Sequence, residues 1–197
     1  MTAIIHKQKK RGISLMEVLI VAVIFSIMGT VLINAYIQGT RMWNLTTANS
    51  DLRIVAYLAM NNMVNELRRT TRTATSNPSP NLAIPSKPNN HSVDFYLPKD
   101  TDTDNNTLII DDFGNTEWET NNMIQYQYIP GQKRLRRLEK GQQDIIADDV
   151  ELIEFEDASI TPSLYNDELT IALTLSRATR DGRTVTASVN SIVKLRN

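Results

Sequence analysis

Residues 6–11 read His-Lys-Gln-Lys-Lys-Arg, and an apolar run over residues 13–33 follows at once, broken only by Ser14, Glu17, Ser26, Gly29 and Thr30. At ~1.5 Å per residue, a helix over this run spans roughly the ~30 Å hydrocarbon layer of a bilayer. The basic flank lies on its N-terminal side. Positive residues stay cytoplasmic, so the chain from about Asn34 onward is expected outside the cytoplasm. A secretory signal peptide is the competing reading, but its apolar core usually has only ~7–15 residues. No small-x-small cleavage site closes this run, and Asn34-Ala35-Tyr36 is a poor candidate. A plain single-pass anchor is the other alternative.

The remaining composition narrows the chemistry. A chain of 197 residues suits one ordinary domain plus an extra segment. A formal net charge of −1 sets up no global field that would recruit nucleic acid or a membrane surface. There is no Cys, which excludes disulfides, thiolate metal sites and thiol catalysis. With only His6 and His91, a His-rich metal site or a His-based catalytic pair has little to draw on. No Gly-rich phosphate loop or nucleophile elbow is present either. The chain is therefore not expected to be an enzyme.

The segment Arg11-Gly12-Ile13-Ser14-Leu15-Met16-Glu17-Val18-Leu19-Ile20 resembles the class III signal of type IV pilins and type II secretion pseudopilins. The resemblance implies a basic leader, residues 1–12, that a prepilin peptidase removes on the cytoplasmic side after Gly12. Ile13 then becomes the N-methylated new terminus, at a position where the family most often has Phe. Glu17 matches the family's glutamate five residues beyond the glycine, implied to act in assembly. Physics supports a role, because a carboxylate in a membrane helix costs on the order of 2–3 kcal/mol or more and usually needs a partner. The plainer reading is that Glu17 snorkels to the nearby interface.

Beyond a membrane helix at 13–34, apolar residues recur as Leu45, Ala48, Leu52, Val55, Ala56, Ala59, Met63 and Leu67, mostly in steps of three and four. Those steps mark one helical face, so residues 35–72 are expected to continue the helix as an amphipathic segment against a soluble domain. No Pro interrupts 13–72, which allows a helix of ~85 Å. Residues 73–92 contain Pro78, Pro80, Pro85 and Pro88 and read as a loop. Residues 93–197 read as strands: 92–97, 107–110, 122–129, 151–156, and a final pair with Leu169, Ile171, Leu173 and Leu175 before the Asp181-Gly182 turn and Val185, Ala187, Val189, Val193 and Leu195 after it. The fold class is thus α+β: a long N-terminal helix packed on an antiparallel β-meander.

The segments 92–98, 145–150 and 181–197 are similar to the larger minor pilins, namely the J-type minor pseudopilin and the W-type minor pilin. This looser resemblance implies a subunit at the tip or in initiation of a type II secretion pseudopilus, or alternatively a type IV pilus minor pilin for adhesion, motility or DNA uptake. It also implies the partners: prepilin peptidase, other minor and major pilins or pseudopilins, the inner-membrane assembly platform, and lipid. The chain would sit in the inner membrane with its C-terminal domain periplasmic or extracellular, and later in a filament.

Three charged stretches remain. Asp148, Asp149, Glu151, Glu154, Glu156 and Asp157 alternate with Ile153 and Phe155 and read first as a solvated strand face. Lys133, Arg134, Arg136, Arg137 and Lys140 suggest a charged edge strand that resists aggregation, in preference to a nucleic-acid surface. Asp100, Asp102, Asp104, Asn106 and Asp111 have spacing that echoes a calcium loop. Asn105 stands where such a loop has Gly, however, and a solvated polar loop is the plainer reading. Calcium is the one cofactor to consider.

Overall fold

The computed structural model describes residues 14–71, 82–99, 116–119 and 121–196. One long helix, α1 (Leu15–Leu67), is followed by eight strands: β1 (Leu82–Ala83), β2 (Ser92–Phe95), β3 (Ile124–Ile129), β4 (Arg134–Glu139), β5 (Gln142–Ala147), β6 (Val150–Asp157), β7 (Glu168–Ala178) and β8 (Thr184–Lys194). Two compact units divide the chain at Asn44/Leu45.

The first unit contains the apolar part of α1, which is long and apolar enough to cross a membrane. Its side chains are almost all exposed. Two hydroxyls inside it find local partners. The Thr30 hydroxyl donates to the Ser26 carbonyl at 2.9 Å and Thr40 to the Ile37 carbonyl at 3.0 Å, back-bonds that spare each hydroxyl an unmet donor.

The second unit holds the core. Leu52, Ala56, Ala59, Met60, Met63, Val64 and Leu67 form the buried face of α1, the three–four face the spacing predicts with Met60 and Val64 added. They join Phe95, Tyr126, Leu135, Ile153, Phe155 and the inward residues of β7 in one cluster. The helix ends at Leu67, short of the expected residue 72, and a tightening turn satisfies its last carbonyls through Arg68 N–H to Val64 O and Thr70 N–H to Leu67 O.

The strands are antiparallel, as expected, but they form two sheets and not one meander. β1-β2-β3-β4-β5 make a five-stranded sheet and β6-β7-β8 a three-stranded one. The break falls at Asp148-Asp149. Asp149 has φ 59°, a left-handed conformation that Asp tolerates better than most residues. Its carboxylate takes the Arg177 Nε at 2.6 Å and its carbonyl takes the Ser176 N–H at 2.7 Å, so the turn is tied to β7. Asn90 clasps the two sheets together. Its Nδ2 donates to Phe155 O at 3.2 Å, and Phe155 N–H donates back to Asn90 O at 2.9 Å. His91 Nδ1 lies 2.6 Å from Ile153 O and so acts as a donor, and Tyr128 OH donates to Glu151 O at 2.8 Å. His91 is thus spent on architecture.

Two strands lie where none was expected. β1 sits in the Pro-rich segment and pairs with β2 through Leu82↔Phe95. β5 follows the tight turn at Lys140-Gly141, both with positive φ. The basic stretch is also corrected: β4 is no edge, because it pairs with β3 on one side and β5 on the other. The edges among the described strands are β1 and β5 in one sheet and β6 and β8 in the other. The expected strand at 107–110 lies outside the described residues.

Candidate functional site

The N-terminus of α1 has a built geometry. Ser14 stands just before the first helical residue. Its Oγ accepts the Met16 N–H at 3.3 Å, and its N–H donates to Glu17 Oε2 at 3.0 Å. The Ser14 carbonyl accepts the N–H groups of Glu17 and Val18. This is a capping box, Ser-x-x-Glu, in which side chains at both ends satisfy helix-terminal donors. The carboxylate also lies at the positive end of the helix dipole. Glu17 therefore has a local partner in the isolated chain, and that partner is the peptide N–H joining Ser14 to Ile13. The pattern Ser14-Leu15-Met16-Glu17 was legible as a capping box, and the sequence reading missed it. Gly12 and Ile13 themselves lie outside the described residues.

A second charged constellation sits where α1 meets the five-stranded sheet. Glu66 on the last turns of α1 accepts the Tyr126 hydroxyl at 2.7 Å and the Arg137 Nε at 3.0 Å. Arg137 Nη1 reaches Glu139 at 2.6 Å, and Asn122 Nδ2 donates to Glu139 at 2.8 Å. Arg137 points inward because it shares a strand face with buried Leu135 and lies opposite Tyr126, whose ring stacks on Phe95 at 5.8 Å. Burial alone would lower the Arg137 pKa, but hydrogen bonds to Glu66 and Glu139 more than offset it and hold the guanidinium above its ordinary range. Burial, with Glu66 beside it, pushes the Tyr126 hydroxyl up. Lys140 and Lys99 both contact Glu119, at 2.9 and 3.0 Å, and hold its carboxyl at about 2. Arg134 pairs with Asp148 at 2.7 Å.

Three of the five basic residues, Arg134, Arg137 and Lys140, thus meet carboxylates, while Arg136 donates to the neutral Gln143. The acidic stretch is also engaged. Glu156 contacts Lys87 and accepts the Thr161 hydroxyl at 2.6 Å, and Lys87 first and Thr161 second lower its pKa. Ile153 and Phe155 alternate with these acids and are fully buried, the half-solvated strand the alternation predicts. Among the described residues no cluster of three or more His, Asp or Glu could hold a metal. Asp100, Asp102, Asp104, Asn106 and Asp111 lie outside them.

Residues 7–33 match the family model of the prokaryotic N-terminal methylation motif. No curated protein and no solved structure matches the chain. The motif match covers the basic flank, Gly12, Ile13, the Ser14–Glu17 capping box and the apolar run of α1. The chain thus carries the class III signal typical of type IV pilins and pseudopilins.

Proposed function

We propose that the chain is a minor pilin-like subunit that assembles through α1 into a type II secretion pseudopilus, at its tip or during its initiation. The observation that carries this reading is the methylation motif coinciding with the one described helix able to cross a membrane. In this reading a prepilin peptidase removes residues 1–12, Ile13 is methylated, residues 13–34 span the inner membrane, and the segment from 35 onward faces away from the cytoplasm. Tyr36 and Trp43 flank Arg41 just past the apolar run and are exposed, a composition suited to the outer membrane–water interface. The pairing of Arg134, Arg137 and Lys140 with carboxylates favours this role over DNA uptake.

Glu17 is the assembly residue. The new terminal amine and the Glu17 carboxylate are opposite charges in one low-dielectric layer, so pairing offsets the desolvation of both. Between neighbouring subunits the same pair fixes the axial stagger of one helix on the next. The capping box keeps the carboxylate oriented toward the chain's start until that pair forms.

Co-purification of other pilin-like subunits from native membranes tests the reading. Glu17→Gln is expected to keep leader cleavage and the fold but to recover fewer partners than the wild type. Equal recovery by both proteins would make Glu17 an interfacial snorkeler and remove its assembly role. The identity of the recovered subunits distinguishes a secretion pseudopilus from a type IV pilus.

A further inference from the structure

We infer that three turns at one end of the second unit form a basic platform that rests on anionic lipid headgroups of the membrane in which α1 is anchored. The inference rests on the reading of α1 as a membrane anchor and adds an electrostatic attachment to the apolar one.

The platform is assembled from turns distant in sequence. Val150 N–H donates to Lys133 O at 2.9 Å, which sets the β5–β6 turn against the β3–β4 turn. Ser176 N–H donates to Asp149 O at 2.7 Å and Arg177 Nε to the Asp149 carboxylate at 2.6 Å, which sets the same turn against the end of β7. The β7–β8 turn closes on itself, with Thr179 N–H donating to Arg183 O at 2.7 Å and Gly182 N–H to Thr179 O at 3.0 Å. Lys133, Arg134, Arg177, Arg180 and Arg183 are thereby gathered at one end of the fold with Asp148, Asp149 and Asp181.

The chain as a whole carries a formal net charge of −1, so this basic excess is local. Asp148 and Asp149 are taken by Arg134 and Arg177. Lys133, Arg180 and Arg183 are exposed, and no carboxylate among the described residues pairs with them. These three free cations stand on turns and not in a recess, an arrangement that suits an extended anionic surface better than an enclosed ligand. A membrane containing anionic lipid is such a surface, and α1 holds it at high local concentration.

The turns also lie far from the end of α1. Arg196 N–H donates to Thr70 O at 2.9 Å, which fastens the end of β8 to the residues just past the helix. β8 has eleven residues, so at ~3.3 Å per step Thr184 stands ~33 Å from Lys194. Each basic residue near an anionic lipid surface strengthens attachment roughly five-fold, so the three free cations together shift the ratio of docked to undocked chains on the order of 100-fold.

The absence of native Cys allows a single fluorescent label in the full chain. Thr184→Cys carries it at the platform, and Ser163→Cys carries it on the β6–β7 loop at the opposite end of the sheet. Each protein is reconstituted in nanodiscs of phosphatidylcholine, with or without phosphatidylglycerol, all containing the same amount of a lipid with a nitroxide on its headgroup. The nitroxide is expected to quench the label at position 184 strongly in the anionic discs and weakly in the zwitterionic ones, and to leave the label at 163 bright in both. Lys133→Gln with Arg180→Gln and Arg183→Gln should abolish the difference. Salt at ~1 M, where the Debye length is ~3 Å, should do the same with no substitution, which keeps the test decisive if the triple variant fails to fold. Equal quenching at 184 in the two lipids, a bright label there in anionic discs, or quenching that survives both changes would overturn the inference and leave the anchor intact. Binding of a DNA duplex with no response to anionic lipid would also overturn it. A chain that does not enter nanodiscs at all would overturn the anchor reading itself.

Discussion

Replacing Arg137 with alanine should be among the most damaging single changes outside the apolar core. Arg137 bridges Glu66 on α1 and Glu139 on its own strand, while Tyr126 OH also bonds Glu66. Its removal leaves two carboxylates facing each other against the inner face of the sheet. Breaking one side of a fully buried ion pair costs ~3–5 kcal/mol. Here the Arg137 side chain is 15% exposed and the two carboxylates are 26% and 33% exposed. Water still reaches what remains, so the expected loss is about 2–3 kcal/mol. Urea unfolding of the full chain in micelles, followed by the fluorescence of buried Trp118, reads this out. With a slope of ~2 kcal/mol per molar urea, the midpoint should fall by about 1–1.5 M. A cycle with Glu66→Gln should show coupling of about 1–2 kcal/mol between the two sites. A midpoint shift below ~0.3 M would mean that the network adds nothing to the attachment of helix to sheet.

Acid should destabilise the fold through Glu119. Lys140 and Lys99 depress its folded-state pKa to about 2, so its contribution is complete above the ordinary carboxylate pKa of ~4.3 and is lost as pH falls from there toward about 2. Glu119→Gln should flatten the stability profile in that window, and an unchanged profile would contradict the assignment. Asn90→Ala removes the side-chain half of the sheet-to-sheet clasp and leaves Phe155 O short of a donor, a loss of about 1–2 kcal/mol in the same melt. If residues 100–111 bind calcium, a chelator should lower the melting temperature, added calcium should restore it by mass action, and Asp102→Ala should abolish the response. An identical melt with and without calcium would leave a polar loop.

The parts legible in the sequence are those whose partners lie within a turn or along one strand. The three–four spacing of Leu52, Ala56, Ala59, Met63 and Leu67 named the buried face of α1, and the alternation of Leu169 through Leu175 named β7. Contacts between distant residues were not legible. Arg137 looked like a solvated edge charge because its partner Glu66 is 71 residues away, and composition does not reveal that an inward-facing arginine has an acid waiting. β5 begins Gln-Gln-Asp and shows no apolar alternation until Ile145, so only the turn at Lys140-Gly141 and its pairing with β4 make it a strand. The division into two sheets depends on Asp149 and its bond to Arg177, which the acidic stretch concealed. The capping box at Ser14–Glu17 is the opposite case, a local pattern that was readable and passed over.

The mass of the protein isolated from its native membrane tests the central claim most directly. The expected product lacks residues 1–12, begins at Ile13 and is heavier than that sequence by one CH2, the net gain of a single N-methylation. Replacing Gly12 with a bulky residue should leave the leader attached. A protein that retains Met1 through Gly12, or one cut near residue 35, would contradict it.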